Sequence, residues 1–277
     1  MTAATEQRDL DERPAGPWDY ISPSRLSLWL KCPLAWRLRY LEGQRAPPST
    51  AAFVGKMVHV GLERHYRHRQ LGVTLAADDV NQYVASAWGQ AVADEGVAFK
   101  SSAEEETCGN QAQNLLSAYL AKLPSDEPRP LAVEVTVESP LVDPETGEDL
   151  GIPLLGVIDL VLPEAKGALV ADFKTSSRSG PPLEITHEIQ LSGYAYLFRR
   201  TSAQMEAGLE IRSLVKTKTV QIQFHRYEAR TEKHFRRLFA VVRAYLDDLD
   251  RGRFIFRPGL ACGSCEFVRS HCGAWEG

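Results

Sequence analysis

The sequence predicts an α/β fold that tends to α+β, with a central mixed sheet flanked by helices. Three observations predict it. Apolar residues recur at helical spacing up to about residue 125, a strand-like period of two begins at residue 131, and helical patterns return from residue 187 onward. The 277 residues, 44% hydrophobic and 25% charged, suffice for one large domain or two modest ones with a substantial core.

The first part of the chain predicts a tail followed by helices. Residues 1–19 are polar and acidic, unlike a signal sequence, and no window approaches about 18 uninterrupted apolar residues, so we expect a flexible tail and a cytoplasmic protein. The stretch SPSRLSLWLKCPLAWRLRYLEG predicts a short helix, a break at Pro33 and a second short helix. FVGKMVHVGLERHYRHRQ predicts a longer helix, and two more are expected at about 77–95 and 104–122.

The middle of the chain predicts the sheet. LAVEVTVESPL alternates strictly, while LLGVIDLVLP and GALVADFKTS are apolar runs linked by the turn-forming segments DPETGEDLG and PEAKG, so we expect an antiparallel meander. HEIQLSGYAYLFRR returns to helix, and LEIRSLVKTKTVQIQFHRYEA supplies one or two further strands. TEKHFRRLFAVVRAYLDDLDRG predicts a long amphipathic helix that ends at Gly252.

Two acids and a lysine lie on neighbouring predicted strands. Asp172 and Lys174 share one strand face and Phe173 has the other, so the first two form either a salt bridge or half of a metal site. Asp159 lies thirteen residues before Asp172, on the preceding strand. Partners in a hairpin can converge, and two carboxylates would suit a hard ion such as Mg²⁺ or Mn²⁺, which prefers oxygen ligands.

A cysteine triplet with the spacing C-x2-C-x6-C lies near the C-terminus, at Cys262, Cys265 and Cys272. In a cytoplasmic protein such clustering indicates a metal or a cluster rather than disulfides. The candidates for a fourth ligand are Cys32, Cys108 and His271. Cys32 is preferred because Pro33 breaks the helix beside it and exposes the sulfur. Zinc accepts three cysteines and a histidine, whereas a 4Fe-4S cluster needs four thiolates, and both remain open.

The charge is unevenly distributed. The net charge of -4 argues against wholesale coating of nucleic acid, but nine Lys and Arg residues stand against two acids between positions 25 and 69. A local basic face is therefore possible. Three aromatic residues of this part, Trp29, Trp36 and Tyr40, either join that face as a channel that stacks bases and tracks phosphates, or belong to the core.

Four segments in order, GKMVHVGLE, GVIDLV, DFKT and QLSGY, resemble the motifs of the RecB-like branch of the PD-(D/E)XK nucleases. An early cysteine with a late triplet resembles the members with an iron-sulfur staple, namely the C-terminal nuclease domain of AddB and the CRISPR-associated exonucleases. The resemblance implies a restriction-endonuclease-like core in a single domain over residues 20–277. It divides into a helical part (20–125), a catalytic sheet core (126–230) and a C-terminal helix with the staple (231–277).

The resemblance also implies roles for individual residues. The implied metal ligands are His59, Asp159, Asp172 and the backbone carbonyl of Phe173. Lys174 would orient or deprotonate the attacking water. Gln190 and Tyr194, on one helical face, would reach the scissile phosphate or brace Lys174. Glu134 stands on the first strand, where alternation allows either face.

Small departures from the family pattern leave the implied ligands in place. Ile158 stands where the superfamily name has proline, and Asp172 stands where glutamate is commoner. The last cysteine interval is longer by one residue than the resemblance suggests, which keeps zinc open beside a structural 4Fe-4S cluster on Cys32, Cys262, Cys265 and Cys272.

The function expected from these features is a Mg²⁺- or Mn²⁺-dependent DNA exonuclease that acts on single-stranded ends. Its setting would be recombination and repair, phage DNA processing or CRISPR spacer acquisition. It would act as a homo-oligomer or within a recombination or CRISPR adaptation complex. The alternatives are a non-catalytic iron-sulfur DNA-binding adaptor and a zinc-stapled endonuclease.

Overall fold

The structure is a computed structural model that describes residues 16–177, 180 and 183–275. Its centre is a mixed sheet with the strand order β1-β2-β3-β4-β5. The strands are β1 (Ala132–Val142), β2 (Asp149–Glu164), β3 (Gly167–Ser176), β4 (Gly208–Val215) and β5 (Gln221–Tyr227). β1, β2 and β3 form the expected antiparallel meander, β4 is parallel to β3, and β5 is antiparallel to β4. The predicted mixed sheet is confirmed.

Helices pack on both faces of this sheet. They are α1 (Pro23–Lys31), α2 (Pro33–Tyr40), α3 (Thr50–Gln70), α4 (Ala77–Glu95), α5 (Ser102–Lys122), α6 (Glu184–Ser202) and α7 (Glu232–Asp250). Pro33 begins α2 directly after the break, as predicted. α3 and α5 begin earlier than their apolar pattern suggests, because the hydroxyls of Ser49 and Ser101 accept hydrogen bonds from first-turn N–H groups and cap the two helices. Two short 3-10 turns, Leu260–Ser264 and Cys272–Ala274, lie in the C-terminal segment.

The sheet separates two hydrophobic cores. Ala168 and Val170 of β3 belong to the first core, with side chains of α1, α2, α6 and α7, whereas Leu169, Ala171 and Phe173 belong to the second, with side chains of α3, α4 and α5. This alternation follows from the period of two along a strand. A smaller cluster joins α2 to the C-terminal segment and consists of Leu34, Ala35, Leu38 and Phe267.

Of the two alternatives for the aromatic residues of the first helices, a base-stacking channel or the core, the structure has the core. Trp29 and Trp36 are 5% and 0% exposed, and both meet Tyr245 of α7 edge to face. Tyr40 packs against Trp36 with ring centroids 5.5 Å apart. Trp29 and Trp36 therefore belong to the first core, and the partly buried Tyr40 packs against it.

The predicted basic face is largely neutralised. Five of its cations form ion pairs with acids, many of them distant in sequence: Arg37 with Glu42, Arg39 with Glu266, Lys56 with Glu95, Arg67 with Glu63, and Arg69 with Glu127. Counting charges along the chain overstates the basic character of this surface, because the tertiary fold brings acids to it.

The chain joins the sheet close to its first described residues. Of the predicted tail, residues 1–15 lie outside the described part, and residues 16–19 form a turn in which the Gly16 N–H donates to Asp19 Oδ2 over 2.7 Å. Ile21 then forms a parallel bridge with Leu154 of β2. Among the helices of the described ranges, none has the length and apolar character needed to cross a bilayer.

Candidate metal-dependent active site

The candidate site lies where β2 and β3 separate. The last paired residues at this end of the hairpin are Leu160 and Ala171, whereas β3 stays paired with β4 up to Ser176. The edge of β3 that faces β2 is therefore open beyond Ala171. Asp159 fills part of this gap, since its Oδ2 accepts a hydrogen bond of 2.7 Å from the Phe173 N–H.

His59 reaches the same gap from α3. Its Nε2 lies 3.1 Å from the carbonyl oxygen of Phe173, and its Nδ1 lies 3.6 Å from Glu134 Oε1 and 3.8 Å from Asp159 Oδ2. Burial alone would lower the pKa of His59, but the hydrogen bond to Glu134 and the charges of Asp159, Glu134 and Asp172 together raise it. The imidazole is thus held in a strongly negative environment.

Glu134 is the residue whose position sequence reasoning left open. Its φ of +44° is one of two positive values outside glycine among the described residues, and its carboxylate groups with His59 and Asp159. One potential ligand atom from each of these three residues lies within 4.8 Å of the others. Strained backbone of this kind concentrates at functional sites. Strict alternation assumes ordinary strand dihedrals, so it gave no signal for the side chain's direction.

Asp172 stands beside this group and is held by α6 and by Lys174. Its Oδ1 accepts a hydrogen bond of 2.8 Å from Gln190 Nε2, which also donates to the Tyr194 hydroxyl over 2.9 Å. Lys174 Nζ lies 2.7 Å from Asp172 Oδ2, so the predicted salt bridge forms. The geometry of that ion pair is not that of a hydrogen bond, and Oδ2 is buried with no hydrogen-bond partner. Asp172 therefore has one carboxylate oxygen on Gln190 and the other beside the Lys174 ammonium.

Tyr194 and Lys174 differ in exposure. Burial, followed by repulsion from Asp172 and Asp159, raises the pKa of Tyr194, so its hydroxyl stays protonated. About a third of the Lys174 side chain, 34%, is exposed to solvent. Lys174 is thus accessible to an anionic substrate, whereas Tyr194 is buried behind the site.

The backbone of Phe173 rests on a buried polar network. Its ring stacks on Tyr66 and meets Tyr119 edge to face, with centroids 5.8 and 5.7 Å away. Arg212, its neighbour across β3 and β4, donates to the hydroxyls of Tyr66 and Tyr119 over 2.8 Å each and to Glu127 over 2.6 Å. A buried network with its polar groups satisfied is rigid. It fixes the residue whose carbonyl faces His59.

The donor set fits a divalent cation. It combines carboxylate and carbonyl oxygens with one imidazole, which suits Mg²⁺ and Mn²⁺. Burial, then repulsion from Asp172, raises the pKa of Asp159 to about 7, although attraction to His59 opposes the shift. A cation among these oxygens would remove that repulsion. The structure brings together His59, Asp159 and the Phe173 carbonyl, adds Glu134, and places Asp172 at the border.

A second ligand set lies at the C-terminal segment. Cys32, Cys262, Cys265 and Cys272 line a cavity of about 960 Å³ between α2 and the 3-10 turns. Burial, then the proximity of the other three thiols, raises the pKa of Cys272. Of the other two candidates, Cys108 lies on α5 and has Thr50 as a hydrogen-bond partner, while His271 directly precedes Cys272 and its ring pairs with Ser270. The structure therefore groups the four preferred cysteines around one cavity.

Comparisons with known proteins bear on the family and the fold. The profile of the PD-(D/E)XK nuclease superfamily matches residues 20–273. The fold is similar to a crystal structure of a "Putative exonuclease" from Eubacterium rectale, with a TM-score of 0.58, 14% sequence identity, and 98% of this chain and 94% of that chain covered. A structure of a protein named SSO0001 aligns with a TM-score of 0.43 and 16% identity over 91% of this chain and 85% of that one. No curated protein matches the sequence. The profile match spans nearly the whole chain, which therefore belongs to the PD-(D/E)XK nuclease superfamily.

Proposed function

We propose that the protein is a metal-dependent deoxyribonuclease of the RecB-like branch, acting as an exonuclease on single-stranded DNA ends. The observation that carries this proposal is the convergence of His59, Asp159 and the Phe173 carbonyl beside the Asp172–Lys174 pair. We assign the whole of residues 20–277 to one nuclease domain. The family supports hydrolysis of DNA, and the strand preference rests on the four motifs.

In this proposal the chain holds the ion with Asp159, Asp172, His59 and the Phe173 carbonyl. The ion would be Mg²⁺ or Mn²⁺, and when bound it supplies an activated water and neutralises charge on the phosphate. Gln190 donates to Asp172 Oδ1, and the Lys174 ammonium lies beside Oδ2. The buried Tyr194 hydroxyl accepts a second hydrogen bond from Gln190 and so holds the amide in place.

Lys174 has the role nearest the substrate. Its ammonium lies at the exposed side of the carboxylates, where it would hold the attacking water and offset the negative charge that develops on the phosphate. Asp172, 2.7 Å away, fixes the position of the ammonium before the substrate arrives. Such preorganisation costs no rearrangement during the reaction.

The test is the substitution Lys174→Ala, assayed with Mn²⁺ and an end-labelled single-stranded oligonucleotide. We expect cleavage to be abolished while Mn²⁺ and DNA still bind. Lys218→Ala, an exposed lysine on the turn between β4 and β5, is the matched control and should cleave normally. Cleavage by the Lys174 variant at the wild-type rate would refute the mechanism. If the wild-type protein binds DNA but does not cut it with Mn²⁺, the protein is an adaptor instead.

The mode of cutting needs a second substrate. A closed circular single strand has no end, so an exonuclease leaves it intact while it degrades the linear form. Degradation of the circle at a comparable rate would assign an endonuclease. The similar protein from Eubacterium rectale carries an exonuclease description, which favours the first outcome.

We also propose a structural 4Fe-4S cluster on Cys32, Cys262, Cys265 and Cys272. The four cysteines line one cavity between α2 and the C-terminal segment. A 4Fe-4S cluster takes four thiolates, and the resemblance to the members with an iron-sulfur staple favours it over zinc.

Colour tests the cluster. Anaerobically purified protein should be brown with broad absorption near about 400 nm. Cys32→Ser should remove the absorption and loosen the C-terminal segment, while Cys108→Ser should change neither. Stoichiometric zinc in a colourless protein would overturn the assignment. A cluster at this place would link the start of α2 to the C-terminal segment and close a long loop of chain.

The setting of the activity is proposed from the same resemblance. We propose a cytoplasmic protein, since reduced thiols are available there as ligands. It would act as a homo-oligomer or with a recombination, phage-processing or CRISPR adaptation complex. The neighbouring genes provide the test, because adaptation genes would indicate trimming of spacer precursors and a replication module would indicate end processing.

A further inference from the structure

Helix α3 contacts strand β3 at two places, one helical turn apart. At the first, Gly55 lies against Thr175: a Cβ built on Gly55 would be 2.6 Å from Thr175 Oγ1. At the second, His59 Nε2 lies 3.1 Å from the Phe173 carbonyl oxygen. Residues four apart share one helical face, and residues two apart share one strand face. The two contacts therefore belong to one interface between helix and strand.

We propose that Gly55 is a positioning residue for the metal site, because its missing side chain sets the distance between α3 and β3 at which His59 reaches the Phe173 carbonyl. The inference rests on the metal-dependent nuclease function proposed above. A separation of 2.6 Å is too short for a real Cβ contact, so any side chain at position 55 must move the helix, the strand or Thr175. Thr175 directly follows Lys174, so a shift of this strand segment also displaces the active-site lysine.

The obstacle at Gly55 is a single atom. After Oγ1, the next nearest atoms to the built Cβ are the Cβ and Cγ2 of Thr175, at 3.8 and 4.0 Å. These are ordinary van der Waals distances. Removing Oγ1 alone would therefore make room for alanine at position 55 and leave the helix where it is.

A second glycine on α3 offers a matched control. A Cβ on Gly61 would lie 2.6 and 2.8 Å from the two methyl groups of Leu116 and 3.0 Å from a methyl group of Val84. The conflict is as short as that at Gly55, but it is directed at α4 and α5. Gly61→Ala should therefore disturb the packing of the helices without moving His59 relative to Phe173.

The experiment measures Mn²⁺ affinity by isothermal titration, together with the thermal midpoint of the metal-free protein. We expect Gly55→Ala to weaken Mn²⁺ binding by about tenfold or more, the usual effect of disturbing residues that orient metal ligands. Gly61→Ala should lower the thermal midpoint and keep the wild-type affinity. Gly55→Ala with Thr175→Ala should regain the affinity, while Gly55→Ala with Thr175→Val, which keeps an atom at the place of Oγ1, should not.

The outcomes separate this inference from the proposed function. If the wild-type protein binds no divalent cation, the proposed function fails. If it binds Mn²⁺ and folded Gly55→Ala binds it equally well, the role of Gly55 is refuted while the function stands. Should Gly55→Ala fail to fold, the double variant with Thr175→Ala decides: restored folding and affinity support the inference, and an unfolded or weakly binding protein overturns it.

Discussion

Replacing Asp159 by asparagine should stabilise the metal-free protein at alkaline pH. Asp159 is 6% exposed, and burial followed by repulsion from Asp172 raises the pKa of its carboxylate to about 7, against the attraction of His59. In the unfolded chain the pKa is about 3.9. Between these values the native protein binds more protons than the unfolded one, so stability falls as the pH rises. Above the native pKa the full cost of the buried charge is present.

The size of the effect follows from the shift. A rise of about 3 pKa units corresponds to about 4 kcal/mol at about 1.36 kcal/mol per unit. His59 offsets part of this while it is protonated, since its raised pKa adds stability that is lost as the pH rises through that pKa. The gain from Asp159→Asn should therefore be largest above pH 8, at about 2–4 kcal/mol, and vanish near pH 4. Asparagine still offers an oxygen to the Phe173 N–H.

Urea unfolding in EDTA at pH 5.5 and pH 8.5 measures the difference. Asp143→Asn is the matched control, because the pKa of Asp143 is shifted in the opposite direction. Burial raises that pKa, but the hydrogen bond from the Glu145 N–H and the Arg243 guanidinium outweigh burial and lower it. Its carboxylate adds stability that is present above about pH 3.9, so this variant should lose about 1–3 kcal/mol at both pH values. Mn²⁺ should stabilise the wild type and not Asp159→Asn. If Asp159→Asn is less stable than the wild type at pH 8.5, the charged carboxylate does not destabilise the folded protein, and the reasoning is wrong.

Two further predictions concern the ion and the network behind it. Mn²⁺ affinity should rise with pH and level off above the pKa values of both Asp159, at about 7, and His59, whose pKa is raised, because binding releases the protons of both ligands. Calorimetry in buffers of different ionisation enthalpy counts those protons, and a flat profile would contradict the assignment. Arg212→Met should lower the free energy of unfolding by about 3–5 kcal/mol, since it removes the buried cation that pairs with Glu127 and Glu210 and donates to the hydroxyls of Tyr66 and Tyr119. Urea unfolding measures this loss, with Arg226→Met, at the exposed end of β5, as the control. Equal losses of unfolding free energy in the two variants would argue against a stabilising role of the buried network.

The order of helices and strands could be predicted because it depends on local periodicity. The meander of β1 to β3 and the break before Pro33 both follow from nearby residues, and the structure has them as expected. The fate of the basic stretch could not be predicted. Arg39 pairs with Glu266, 227 residues away, and Arg69 pairs with Glu127, 58 residues away. No pattern within a short window contains such partners.

For the site, the hairpin connection of Asp159 and Asp172 was sufficient to expect them near each other, and the motif order supplied His59. The direction of Glu134 was not predictable, because it depends on one backbone angle, a φ of +44°, that departs from strand geometry. The requirement for glycine at position 55 was not predictable either. It arises from the Thr175 hydroxyl, which is 120 positions away in the sequence and is brought near only by the fold.

The open edge of β3 explains why the candidate metal ligands lie around the backbone of Phe173. Because β2 pairs with β3 only from Leu160 onward, the N–H and the carbonyl of Phe173 both lack a strand partner on that side. A buried backbone group without a partner is costly. Asp159 accepts from the N–H, and His59 lies 3.1 Å from the carbonyl oxygen, whose lone pairs point into the gap. The residues that would bind the cation are thus those that satisfy the unpaired strand, so the end of the β2–β3 pairing accounts for the position of Asp159 and His59 beside the Phe173 backbone.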